Sequence, residues 1–261
     1  MILKWDITLR KVHALFTVFS SVEGQINSKV WGCGKIGQFE SLAKSIGRQA
    51  VDLDMRVTQL LCSRLCHDIV GSASAFNTGV EFIEEAPSTE VIDLLKSSAD
   101  RLTRRLDFFR VALGFGGGRH GVLTLLEASK LAQGWFLDAK PNLHWTPETT
   151  AAGDNGVLQV SGIKMLMLMT LLGEECLARG GVVEVHVLSL EEGLGVAVSA
   201  NGPSAKLPDD LAAGLNPNCP AETVTARNVH AYWAQKIAHA QQAFLEAEAL
   251  NEEVRFAVLI P

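Results

Sequence analysis

The residues best suited to chemistry in this chain surround a histidine on a predicted helix. His67 is followed directly by Asp68 and is preceded one helical turn earlier by Arg64. A neutral imidazole is a competent nucleophile near pH 7, and a neighbouring carboxylate can orient the ring or take its proton. A guanidinium can offset the charge of a phosphoryl group. These three residues are our candidate catalytic group, for phosphoryl transfer through a labile phosphohistidine.

His67 is predicted to point away from the core of its helix. At about 100° per residue, the apolar seam of that helix lies roughly 120–200° from His67. Besides Arg64, the histidine's own face carries the small residues Ser63, Gly71 and Ser74. Another protein can approach such a surface closely, so we assign these three residues to partner binding.

Two other interpretations of this segment stay open. An exposed helical histidine without a role fits the same geometry, because surface histidines are common. Cys62 and Cys66 share one face, but His67 is rotated about 100° from Cys66 and a fourth metal ligand is not evident. We therefore interpret the two cysteines as packing residues and predict that the chain holds no metal.

Two helices that would position His67 are predicted over residues 54–85 and 88–113, with a turn at Pro87 and Ser88. Each has a seam of apolar or small residues at three- and four-residue steps, which favours an antiparallel hairpin. One hairpin leaves an apolar face in water, whereas two paired hairpins bury it in a four-helix bundle, so we predict a homodimer. The seams are Leu61, Leu65, Ile69, Ser72, Phe76, Gly79 and Ile83, and Val91, Leu95, Ser98, Leu102, Leu106 (or Arg105), Phe109 and Leu113.

A second kind of domain follows a run of glycines at residues 116–118. Helical and alternating patterns predict an α/β sandwich there, so the fold class of the chain is α+β. The predicted helices cover residues 124–139, 161–179 and 226–250, and the strands residues 142–145, 182–188, 194–199 and 254–260. The predicted division is an N-terminal extension of unknown role (1–53), a dimerisation and phosphotransfer hairpin (54–116) and the sandwich (120–261).

Composition excludes several classes of function. The net charge of −6 and the pI near 5.7 argue against a nucleic-acid-binding surface. The chain has no run of about 18 apolar residues that would cross a membrane. Five cysteines, an odd number without disulfide-like spacing, suit a reducing compartment, so we expect a cytoplasmic protein.

The segments around His67 resemble the ChpT family of alphaproteobacterial histidine phosphotransferases. The resemblance rests on SRLCHDIV (63–70), NTGVE (77–81), RLDFFRVALG (105–114) and EECLARGG (174–181), in this order along the chain. This family resembles a sensor histidine kinase reduced to its phosphotransfer hairpin and a degenerate ATPase-like domain. The kinase-like pattern places a proline five residues after the histidine, where this chain has Ser72. A proline would bend the helix, so we expect a straighter one here.

The resemblance implies a role for the chain in a two-component phosphorelay. His67 would be the phosphoacceptor, with Asn77 and Glu81 on the hairpin surface around it. The phosphoryl group would come from the receiver domain of a hybrid histidine kinase and pass to response regulators, notably those governing the cell cycle. We expect no cofactor on this chain, and Mg²⁺ on the partner receiver domain.

The resemblance also implies that the C-terminal domain does not use ATP. Kinases of this type hold magnesium through an asparagine on the long helix, and residues 168–175 contain none. These kinases bind the adenine amino group with an aspartate, and this chain has Ala200 at that position. Ser204 stands where such kinases have the following glycine. Residues 215–220 lack the glycines of a phosphate-binding loop. An ATP-dependent kinase is therefore disfavoured, and a non-catalytic docking scaffold or kinase inhibitor remains the alternative.

Overall fold

The structure is a computed structural model that describes residues 55–85, 88–114, 124–146, 149 and 160–261. The predicted N-terminal extension (1–53) and the glycine run at residues 116–118 lie outside the described residues. In the part of the chain that is described, no helix is both long enough and apolar enough to cross a membrane.

The predicted hairpin is confirmed. Helix α1 spans Met55–Glu85 and helix α2 spans Thr89–Ala112. Ser88 is the N-cap of α2, and its side chain accepts a hydrogen bond from the backbone N–H of Val91. The helices approach closely at Gly79, since a Cβ added there would lie 2.8 Å from Leu95 Cδ2. Ser72 is buried, and α1 continues through it without interruption.

The rest of the described chain builds a five-stranded sheet with helices packed on it. Its elements are α3 Leu125–Phe136, β1 Asn142–Trp145, α4 Val160–Glu175, β2 Val182–Leu190, β3 Gly193–Asn201, α5 Asp209–Leu215, a 3₁₀ turn Ala221–Thr223, α6 Val229–Ala240, β4 Glu246–Leu250 and β5 Glu253–Ile260. The strand order is β1-β2-β3-β5-β4; β1 and β2 are parallel and the other pairs are antiparallel. The predicted α+β fold, a helical hairpin followed by an α/β sandwich, is therefore confirmed.

The single helix predicted over residues 226–250 is wrong. Helix α6 ends at Ala240, and Gln242 adopts the left-handed conformation with φ of 61°. Backbone bonds from Gln242 to His239 and from Ala243 to Ala238 form a Schellman end. Residues 246–250 then pair with β5 as strand β4. The sequence there, Glu-Ala-Glu-Ala-Leu, is made of good helix formers, so pairing with a neighbouring strand overrides local propensity.

Two other bounds differ from the prediction. The helix predicted over residues 161–179 ends at Glu175, and α5 was not predicted. Helix α4 is apolar on all sides and buried, as expected for a helix covered both by the sheet and by other helices. Its early end places Glu174 and Glu175 at the edge of the core, facing the hairpin.

The hairpin packs directly on the C-terminal elements at two points. Near the end of α2, Phe108 and Phe109 contact Trp135 of α3, with ring centroids 4.9 and 5.1 Å apart. Near the start of α1, Val57 is buried against Val224, Val229 and Tyr232. These apolar contacts fix α1 beside the ends of α4 and α6, which is where the site lies.

Candidate functional site

The exposed imidazole of His67 is held by a largely buried carboxylate. The side chain of His67 is 84% exposed, whereas that of Asp68 is 11% exposed. His67 Nδ1 lies 3.1 Å from Asp68 Oδ1. An ionised carboxylate only accepts hydrogen bonds, so this contact favours the tautomer with the proton on Nδ1. The lone pair of Nε2 is then free on the solvent side.

Asp68 is itself fixed by two arginines. Its second oxygen, Oδ2, accepts a hydrogen bond of 2.7 Å from Arg64 Nε. Its backbone carbonyl accepts one of 2.8 Å from Arg105 Nη1. The Arg105 guanidinium lies 4.8 Å from the ring centre of Trp135, within the range of a cation–π contact. The backbone of Asp68 is therefore tied to α2 through Arg105, and its side chain is held by Arg64 of the same helix.

The Arg64 guanidinium bridges the hairpin and the C-terminal elements. Its Nη2 donates to Glu175 Oε1 at 2.5 Å, and its Nη1 lies 3.5 Å from His230 Nδ1. His230 is only 1% exposed, and its Nε2 lies 3.2 Å from the same Glu175 oxygen, a polar contact without the alignment of a hydrogen bond. Arg64, placed in the catalytic group by the sequence, thus faces Asp68 and Glu175.

Two adjacent carboxylates at the end of α4 have opposite electrostatic environments. Burial raises the pKa of Glu174, although Trp135 Nε1 donates to it at 2.6 Å. Burial would also raise the pKa of Glu175, but its contacts with His230 and Arg64 leave that pKa below the ordinary value. Glu175 is therefore the charged partner of Arg64, and this charge pair joins α4 to α1.

The residues assigned to partner binding all lie exposed on α1. Asn77 Nδ2 donates to Glu81 Oε1 at 3.0 Å, so these two form a polar pair on the surface. Nothing lies within 4 Å of a Cβ added at Gly71, which leaves the helix backbone open to close approach one turn after His67. The exposed set is Ser63, Gly71, Ser74, Asn77 and Glu81.

The interpretation of Cys62 and Cys66 as packing residues is wrong for the single chain, in which both thiols are free and exposed. They lie on the side of α1 turned away from α2 and the sheet. Within the described ranges, no group of three or more His, Cys, Asp and Glu side chains is arranged to hold a metal ion.

The sequence analysis did not identify four residues of the site, which are Arg105, Trp135, Glu175 and His230. Arg105 is the residue that donates to the backbone carbonyl of Asp68. A signal was present for Glu175, because two acids close a helix that is otherwise apolar. Acidic side chains are seldom buried without partners, so a cation facing them was to be expected. At the positions linked to ATP, Ala200 is fully buried and Ser204 has a φ of 70°, in the region that favours glycine.

Comparison with known proteins agrees with the resemblance seen in the sequence. The family described as Histidine phosphotransferase C-terminal domain matches residues 125–253. The Protein phosphotransferase ChpT of Brucella abortus (strain 2308) is 28% identical over 199 residues, which cover 76% of this chain and 92% of that protein. The resemblance to the ChpT-type histidine phosphotransferases is confirmed.

A solved structure of a bacterial phosphotransferase supports the same conclusion for the fold. It aligns with a TM-score of 0.66 at 26% identity and covers 79% of this chain and 97% of its own. The similarity to the Brucella protein is not confined to the C-terminal elements. The alignment covers 199 residues, which is more than the number of residues that follow α2, so it reaches into the hairpin that carries His67.

Proposed function

We propose that this chain is a histidine phosphotransferase of a two-component phosphorelay. His67 accepts a phosphoryl group from the aspartate of a receiver domain, that of a hybrid histidine kinase, and passes it to response regulators. The observation that carries the proposal is an exposed imidazole whose Nδ1 is held by the largely buried Asp68 carboxylate. This arrangement leaves Nε2 unprotonated and accessible, as a nucleophile must be.

The transfer step needs few groups on this chain. The Nε2 lone pair attacks the phosphorus of the receiver's acyl phosphate, the bond between that phosphorus and the aspartate oxygen breaks, and the aspartate leaves as a carboxylate. Positive charge develops on the imidazole, and Asp68 stabilises it through the Nδ1 proton. We expect Mg²⁺ in the receiver's aspartate pocket, where it offsets charge on the phosphoryl oxygens. The reverse step delivers the group to a second receiver.

The proposal includes independence from ATP. Glu174 and Glu175 stand at the end of the helix that would hold magnesium, and they are engaged by Trp135 and Arg64. Ala200 offers adenine no carboxylate. These observations support a C-terminal domain whose acidic residues contact the hairpin instead of binding a nucleotide.

The exposed residues around His67 form the proposed docking surface. Ser63, Gly71 and Ser74 are small, so a receiver can bring its aspartate close to the helix axis. Asn77 and Glu81 offer polar contacts about three and four turns after His67. The receiver must reach His67 from this side, because the opposite side of α1 packs on α2.

We also propose that the chain is a homodimer through the hairpin. Apolar side chains remain exposed on one side of α1 and α2, among them Phe76 (39%) and Leu106 (46%), both residues of the predicted seams. Val80 and Ile92 extend the same surface. Pairing with a second copy would bury these side chains, together with Cys62 and Cys66, in a four-helix bundle.

The substitution Phe76→Asp is expected to weaken dimerisation by at least about a hundredfold, because each copy loses roughly 1.5–3 kcal/mol of apolar burial. Light scattering across a dilution series measures the change. Phe82→Asp is the matched control, since Phe82 is also exposed on α1 but lies about 120° around the helix from Phe76. Equal dimerisation of the two variants and the parent would contradict this interface.

The function is tested by incubating the full chain with a receiver domain carrying radiolabelled aspartyl phosphate and, separately, with labelled ATP. We expect acid-labile label from the receiver and none from ATP. Label from ATP alone would indicate a kinase. A receiver that binds the chain but transfers no label would favour the alternative of a docking scaffold or inhibitor.

A further inference from the structure

A continuous line of polar contacts runs from the C-terminal elements to the phosphoacceptor. It begins at His230 on α6, passes to Glu175 at the end of α4, crosses to Arg64 on α1 and ends at Asp68, which holds His67. The link from Glu175 to Arg64 joins residues 111 positions apart in the chain. The two domains therefore meet in a line of polar contacts next to the reactive imidazole, hydrogen-bonded from Glu175 to His67.

We propose that Glu175, backed by His230, is a positioning residue for His67: through Arg64 it fixes the Asp68 carboxylate and so holds the imidazole in the tautomer with an unprotonated Nε2. This inference deepens the proposed function and rests on it for its biological meaning. It gives the C-terminal domain, which we propose acts without ATP, a specific role in phosphotransfer.

The arrangement of Arg64 explains why Glu175 would matter at a distance. Arginine presents its donors in a rigid planar fork, so anchoring Nη2 on Glu175 sets the direction of Nε toward Asp68 Oδ2. Both partners are largely buried, with 17% of the Arg64 side chain and 27% of the Glu175 side chain exposed. A buried guanidinium that lost one carboxylate would turn toward the other, and the Asp68 oxygen facing His67 would move with it.

A merely structural role for Glu175 is the competing explanation, and the chain offers a control for it. Asp138 also ties the hairpin to the C-terminal elements, but it binds Arg101 and Arg104 of α2, at 3.3 and 2.7 Å. Asp138→Asn removes a charge from the same interface without touching Arg64. An effect shared by Glu175→Gln and Asp138→Asn would therefore reflect loss of docking rather than positioning.

The first readout is the tautomer of His67 in the full-length ¹⁵N-labelled protein, from long-range ¹H–¹⁵N correlation spectra at a pH where the ring is neutral. We expect the Nδ1–H form in the parent and in Asp138→Asn, and a shift toward the Nε2–H form in Glu175→Gln. A His67→Gln spectrum assigns the signal. This readout needs no phosphoryl donor, so it tests the positioning even if the proposed function fails.

The second readout is the rate of phosphorylation of His67 by phosphoramidate. In this reaction the P–N bond of the donor breaks, ammonia leaves and an Nε2–P bond forms. We expect about a tenfold lower rate for Glu175→Gln, comparable to the loss when a carboxylate that orients a metal-binding histidine is removed, and the parent rate for Asp138→Asn. Arg64→Lys should resemble Glu175→Gln, because an ammonium cannot bridge two carboxylates as a fork, and it replaces that variant if Glu175→Gln does not fold.

The outcomes separate the two proposals. A parent-like tautomer and rate in Glu175→Gln would overturn the positioning role and leave the phosphotransferase proposal intact. A similar decrease in melting temperature in Glu175→Gln and Asp138→Asn, with equal phosphorylation rates in the two variants, would also overturn the positioning role. If the parent itself formed no phosphohistidine, the proposed function would fail, and the tautomer spectra alone would decide the positioning.

Discussion

Replacement of His67 by glutamine is expected to abolish phosphoryl transfer, with a loss of at least about a thousandfold relative to the parent. Glutamine preserves polarity and approximate size but has no lone pair able to form a stable bond to phosphorus. Because His67 is 84% exposed, the free energy of unfolding should change by no more than about 0.5 kcal/mol. Labelled transfer from a receiver, together with thermal unfolding, measures both quantities.

The chain contains a matched control for this substitution. His144 is also exposed (61%) and also faces a carboxylate, with Nδ1 lying 3.4 Å from Glu184 Oε1. It stands on strand β1, away from the hairpin face that we propose as the docking surface. His144→Gln should therefore keep the parent rate. Label that persisted in His67→Gln and disappeared in His144→Gln would move the phosphoacceptor to the sheet domain.

Replacement of Asp68 by asparagine is expected to lower the maximal transfer rate by about 10²–10⁴-fold. The amide carries no charge to stabilise the imidazole as it becomes positive. Its NH₂ group can also donate to Nδ1, which would place the ring proton on Nε2 and block the nucleophile. Single-turnover transfer at increasing receiver concentration separates the maximal rate from receiver binding.

The form of the Asp68→Asn defect is as informative as its size. The Asp68 side chain is largely buried, so we expect the apparent receiver affinity to stay near that of the parent. Glu81→Gln provides the contrast, because Glu81 is exposed on the proposed docking surface and should affect receiver affinity rather than the maximal rate. A defect of Asp68→Asn confined to affinity would show that Asp68 belongs to the docking surface.

Much of this protein can be predicted from local patterns in its sequence. The helical period of α1 and α2, with a turn at Pro87 and Ser88 between them, predicts the hairpin and the outward direction of His67, because both depend on residues three and four positions apart. Alternating or continuous apolar runs on either side of the Glu191-Glu192-Gly193 turn predict β2 and β3, because a strand's pattern depends on residues two positions apart. The pair of His67 and Asp68 is adjacent in sequence, so its chemistry is visible there too.

Tertiary structure decided the features that join distant residues. Residues 246–250 are helix formers that become strand β4 only because β5 offers its backbone for pairing. The bridge from Glu175 through Arg64 to Asp68 depends on apolar packing that brings α1 to the end of α4, and the sequence separation of its partners leaves no local pattern. A charged residue in a segment that will be buried needs a partner, and the sequence can show that need. Which partner the side chain contacts is determined by how the helices and the sheet pack.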